Sequence, residues 1–236
     1  MAANSPHAGD WLNAPPIASV GLRLSNEEIR VAVGYRLGSS ICQPHQCVCG
    51  SFVDARGLSC RKSAPRQVRH SLINDILWRA IKKAEVQACK EPVGLSRSDV
   101  KRPDGATLIP WSHGKPLAWD LTVPDIFAQS HITSTASNAA AAADKAARSK
   151  TKKYEHLSIT RNFIPFALET GDSWNSEAIE LTNYIGKRIT PSNSEPLETQ
   201  FLFQRISISV HRGNALAFRN TFLNDNNFLR SVRATP

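Results

Sequence analysis

Two apolar segments of strand length, residues 104–110 and 116–123, are separated only by Trp111-Ser112-His113-Gly114-Lys115. A five-residue connection containing glycine is a hairpin loop, so the two segments pair antiparallel. Each carries one aspartate: Asp104 opens the first, Asp120 lies late in the second, and antiparallel pairing brings those ends together. Asp104, in Arg102-Pro103-Asp104-Gly105, reads equally well as a turn residue when taken alone. Asp120, between Trp119 and Leu121, does not. An unpaired carboxylate in an apolar strand costs on the order of a few kcal/mol, so it calls for a cationic partner. Two carboxylates on neighbouring strand ends are the hard-oxygen ligand set of Mg²⁺ or Mn²⁺.

The remaining pattern sets this hairpin in an α/β fold. Ser25 with Glu28 forms a capping box ahead of a helix near 25–37. Val68, Leu72, Ile73, Ile76, Leu77, Ala80, Ile81 and Ala84 recur at helical spacing and predict a helix over 66–86. A short strand is expected around 86–91, cut by Pro92. Residues 136–157 read as a long helix with an Ala-rich first half and a basic second half, a poorly packed linker being the alternative. A strand over 161–169 and helices over 174–190 and 196–220 complete the order. A hairpin followed by a helical crossover to another strand gives a mixed sheet flanked by helices. The chain divides into a lead-in or connector (1–40), a cysteine-rich segment (41–64), the sheet-containing domain (65–222) and a polar tail (223–236).

Twenty-nine Lys and Arg against 20 Asp and Glu leave a net charge of +9. That balance favours a polyanionic partner, nucleic acid above all. No apolar run is long enough for a membrane span, and no secretory leader is recognised at the start, so an intracellular protein is expected, nuclear or cytoplasmic and not secreted. Four of the five cysteines, Cys42, Cys47, Cys49 and Cys60, fall within nineteen residues. In a reducing compartment such a cluster reads as a zinc site rather than a disulfide framework, with reduced thiols in a loop as the alternative. Cys89 reads as core.

Pro103-Asp104 followed at a distance by Asp120 resembles the PD-(D/E)XK restriction-like nuclease superfamily. Thr122 stands where that pattern usually has lysine, and Lys150-Thr151-Lys152-Lys153-Tyr154 offers a migrated one. In this form the chain resembles the restriction-like endonuclease of non-LTR retrotransposons, from about Cys42 to Phe222. Gly57-Leu58-Ser59-Cys60-Arg61-Lys62-Ser63 and Arg69-His70-Ser71-Leu72-Ile73-Asn74-Asp75 carry that likeness ahead of the hairpin. Asp10-Trp11-Leu12 and Arg36-Leu37-Gly38 resemble the preceding connector, and no polymerase motif is present. The resemblance implies a restriction-endonuclease-like mixed sheet core flanked by helices, with an N-terminal cysteine-rich segment. It also implies a metal-dependent DNA endonuclease, or a catalytically silent nucleic-acid-binding remnant or zinc-organised module in its place. Its partners are DNA and the RNA of a parent element, with no membrane.

By that resemblance Asp104 and Asp120 hold Mg²⁺, Lys150 is the displaced catalytic lysine, and Lys153 and Tyr154 support it. Alone, the lysines would read as a solvated helix face. Glu91 is a further metal-ligand candidate, against a solvent-facing strand end. Arg69, His70, Arg102 and Lys152 are candidates for contact with nucleic acid. Glu169 either approaches the site or caps the helix near 174. The usual knuckle histidine before Gly57-Leu58-Ser59-Cys60 is missing, which shifts the fourth zinc ligand to His45 or Cys42.

Overall fold

The computed structural model describes residues 4–53, 60, 64–95, 101–222 and 227–228. Its elements are α1 (Asn26–Leu37), β1 (His45–Gln46), β2 (Phe52–Val53), α2 (Ala64–Lys83), β3 (Ala88–Lys90), β4 (Gly105–Thr107) and β5 (Leu117–Thr122), then α3 (Ile132–Ser137), α4 (Ala141–Lys153), β6 (Asn162–Ala167), α5 (Ser176–Asn193) and α6 (Glu198–Arg219). The class is the expected mixed α/β. Most of the 57–63 motif and nearly all of the tail 223–236 lie outside the described residues. The Ser25–Glu28 capping box forms at the head of α1, with both reciprocal hydrogen bonds present.

The main sheet runs β3-β4-β5-β6. β3, β4 and β5 pair antiparallel, whereas β6 joins β5 parallel after the α3–α4 crossover. Along β5 side chains alternate between two faces. Leu117, Trp119 and Leu121 enter the main core with Ile73, Leu77 and Ile81 of α2, Ile185 of α5 and Phe203 and Ile206 of α6. Ala118 lies on the other face with Ala106, Tyr154 and Leu157. Beside that layer, Ala140, Ala143 and Ala147 pack on Ala167 of β6. The Ala-rich run is therefore a packed helix, not a linker: its methyl-sized side chains let α4 lie close against the sheet. That closeness brings the next residues on the same stripe, Lys150 and Tyr154, within reach of β5.

Three differences from the sequence pattern have local causes. The helix expected from 136 is broken: Asn138 is extended and ends the short α3, and Ala140 takes a left-handed conformation (φ 60°), so α4 begins at 141. β4 stops at Thr107, whose hydroxyl accepts from Leu117 N–H at 2.9 Å and donates to Ile109 O, and Leu108 and Ile109 turn out to solvent. Residues 4–20 are irregular as expected, in short 3-10 turns, yet docked on α6. Trp11 is buried and its backbone N–H donates to Ser207 Oγ at 3.2 Å. His7 stacks on Phe203, and Gln204 Nε2 donates to Asn13 O at 3.1 Å.

Candidate functional site

The register of the hairpin sets the site. Gly105 is opposite Trp119 and Ala106 opposite Ala118, so the next pair outward is Asp104 opposite Asp120. Directly opposed residues hold their Cβ atoms about 5 Å apart on one face. Gly105 is needed here for close approach, not for a turn. A Cβ at that position would lie 2.0–2.5 Å from three atoms of the Trp119 ring. Trp119 thus fills the main core across a bare strand position, and its neighbour Asp120 is committed to the α4 face.

Both carboxylates are oriented by named groups. Asp104 Oδ2 accepts from Leu121 N–H at 2.6 Å and from His70 Nε2 at 3.0 Å; the same ring nitrogen lies 3.2 Å from Leu121 O. Asn74, one turn along α2 from His70, donates to Asp104 O at 3.4 Å and accepts from Trp119 Nε1 at 2.8 Å. Asp120 is 3% exposed. Its Oδ1 accepts from the Tyr154 hydroxyl at 3.0 Å, and its Oδ2 meets the Lys150 ammonium in an ion pair. Tyr154 Oη also reaches Arg102 O at 2.8 Å, and Lys153 Nζ donates to Tyr154 Oη at 2.7 Å. Lys150 lies in the last turn of α4 and Tyr154, four residues on, is its C-cap, with its N–H on Lys150 O, a spacing that keeps both on one side.

The electrostatics are those of a site short of positive charge. Burial first, and the charge of Asp104 second, raise the Asp120 carboxyl above its ordinary value, against the pull of Lys150 and Lys153. Burial disfavours the charged His70 ring, but its hydrogen bond and attraction to Asp104 outweigh that and raise its pKa. A divalent cation between the carboxylates would relieve the same repulsion. The two carboxylates, one buried and one 19% exposed at the side chain, are hard oxygen donors, the type that could hold a divalent cation.

Other predicted residues are placed elsewhere. Glu91, in a left-handed conformation (φ 48°), is 64% exposed at the side chain and ion-pairs with Arg102. Arg69 is 4% exposed, donates to Asn214 Oδ1 at 2.5 Å, and packs its stem where a Cβ on Gly213 would sit. Lys152 is exposed on the outer side of α4. Glu169 does cap a helix, but a different one from that expected. Its Oε1 accepts Ala142 N–H at 2.8 Å and Ala143 N–H at 3.3 Å at the start of α4, where a carboxylate also complements the helix dipole. Asn74 was not singled out by the sequence reading, although its i, i+4 spacing from His70 beside the apolar stripe marks it.

The cysteines separate. Sγ atoms of Cys47, Cys49 and Cys60 lie within 4.8 Å of one another and suit a metal such as zinc. Burial pushes the Cys47 thiol up, whereas hydrogen bonds from the Ser51 backbone and then its side chain pull Cys49 down to about 6. Cys42 stands apart, buried against Val31 and Tyr35 with Sγ 3.9 Å from His45 Nδ1. His45 Nε2 in turn is 2.8 Å from Thr221 Oγ1, so neither shift of the fourth ligand brings a described side chain into the thiol cluster. No described helix is long and apolar enough to cross a membrane. Neither a family model nor a curated protein matches the chain.

Proposed function

We propose that this protein is a metal-dependent DNA endonuclease of the restriction-like PD-(D/E)XK type, of retroelement origin, acting in the nucleus. The observation that supports it most is the cross-strand pair Asp104 and Asp120 with the Lys150 ammonium on Asp120. A divalent cation held by the two carboxylates would polarise a phosphodiester and supply a water of lowered pKa. Lys150 supplies the positive charge that the plain pattern takes from lysine at the position of Thr122. Tyr154 and Lys153 fix the Asp120 carboxylate from the α4 side, while His70 and Leu121 N–H fix Asp104 from the α2 and β5 side. The site is thus held by three separate elements, α2, β5 and α4, as a reaction needing placement within a fraction of an ångström requires. In this reading the three thiols hold a zinc ion that organises the segment ahead of α2.

The test is nicking of supercoiled plasmid by the purified chain with Mg²⁺, with Mn²⁺ and with EDTA. Metal-dependent nicking that disappears in Asp120→Ala supports the proposal. Equal nicking by the variant ends it, and DNA binding without cleavage under any metal selects a silent nucleic-acid-binding remnant instead.

A further inference from the structure

A cleft of about 440 Å³ opens beside the carboxylates, between the first turns of α2 and the exit of β5. Its lining joins the proposed site on two sides, through His70, which holds Asp104, and through Lys150, which holds Asp120. The rest of its polar wall comes from Arg66, Gln67 and the buried Arg69 of α2, Thr122 of β5, Asp125 and His131 at the entry to α3. Arg66 lies four residues before His70, so both project from the same side of α2. The one carboxylate lining the cleft, Asp125, is already engaged: it accepts from Tyr35 Oη at 3.1 Å and from Phe127 N–H at 3.1 Å. His131 Nδ1 is buried without a hydrogen-bond partner among the described residues, an arrangement that is costly unless a ligand or water completes it.

We infer that this cleft seats the DNA backbone next to the scissile phosphate, with Arg66 as its charged phosphate ligand and Gln67 and His131 as hydrogen-bonding ones. The inference rests on the endonuclease reading for the position of the scissile phosphate. The cleft's binding of a phosphate backbone stands by itself. It also separates two basic surfaces that charge alone does not: the α2 wall faces the carboxylates, whereas Arg148 and Lys152 on α4 line a different, mixed-charge groove with Asp144, Glu155 and Glu177. A phosphate held in the α2 cleft abuts Lys150 and the metal ligands, and one held in the α4 groove does not.

The experiment measures binding of the full chain to a short fluorescein-labelled DNA duplex in EDTA, across a KCl series, so that no cleavage enters. A side chain that neutralises one phosphate contributes about 0.9 to the slope of log affinity against log salt. Arg66→Ala should therefore lower that slope by about 0.9 and weaken binding roughly tenfold near 0.1 M salt. Arg66→Lys should keep the slope, which also guards against a mere folding defect. Arg79→Ala, which removes equal charge from the far end of the same helix at a residue paired with Asp75, should leave both unchanged. Gln67→Ala should weaken binding with no change of slope. If Arg66→Ala and Arg79→Ala behave alike, the cleft is not the seat of the backbone. If the Arg66 effect appears but the chain never nicks DNA with metal, the inference holds and the endonuclease reading falls.

Discussion

The two candidate metal centres are built on opposite kinds of backbone. The carboxylate centre sits on paired strands whose register is fixed by the main core, and α2 and α4 contribute its orienting groups. The thiol cluster sits on two-residue strands and a loop, with Val53 and the cysteines themselves as its apolar packing. The first geometry is held by burial and by the orienting groups of α2 and α4. The second is packed only in a small cluster of its own, Val53 with two buried thiols, apart from the main core, and a bound metal would add the order that this small cluster does not supply. Placement by the main core belongs to the centre proposed for chemistry, whereas the other is a set of three thiols that could hold a metal ion.

That contrast can be broken at several points. Asp120→Ala should reduce metal-dependent nicking to background, at least about a thousandfold if metal binding and charge stabilisation are both lost, while far-ultraviolet circular dichroism stays native. A collapsed fold would mean that the carboxylate is structural. Lys150→Ala should lower the nicking rate roughly a hundredfold with binding to DNA largely kept, and an unchanged rate would remove Lys150 from the mechanism. Gly105→Ala forces a methyl into the Trp119 ring, so thermal melts should drop by the roughly 1–3 kcal/mol of an overpacked core, and a neutral result would contradict the register. Cys49→Ser should abolish stoichiometric zinc in native mass spectra and speed proteolysis near residues 41–64, yet leave nicking within a few-fold. Nicking as poor as that of Asp120→Ala would show the two centres to be one system.

The smallest effect concerns pH. Because the folded Asp120 pKa is raised, the fold binds that proton more readily than the unfolded chain, so ionised Asp120 destabilises the metal-free protein. This cost is present above the raised value and vanishes as pH falls through it toward the ordinary carboxylate range. Asp120→Asn should therefore melt higher than the unmodified chain at neutral pH without metal, and the gap should close on acidification. A gap that widened instead would reverse the sign assigned to burial at this position.

Much of this was legible along the chain because it depends on local periodicity. The apolar stripe of α2, the capping box of α1 and the five-residue hairpin connection each report on neighbours a few residues away, and the helices and strands they mark lie close to where the pattern puts them. The Asp120 dipeptide context also spoke by itself, since a carboxylate between Trp119 and Leu121 has to be paired. What the pattern could not carry was which distant group answers it. Lys150 and Tyr154 approach Asp120 because the small alanines of α4 pack on Ala167 of β6 and Tyr154 itself packs on Ala106 and Ala118. Glu169 caps α4 rather than α5 because β6 delivers it to that helix end. Arg69 turns inward because Gly213 leaves room for its stem. Cys42 leaves the other three thiols because α1 and the end of α6 enclose it. Sequence determined the elements and the presence of a carboxylate in need of a partner; tertiary structure alone decided the partner, because contacts between residues tens of positions apart depend on how closely whole elements pack.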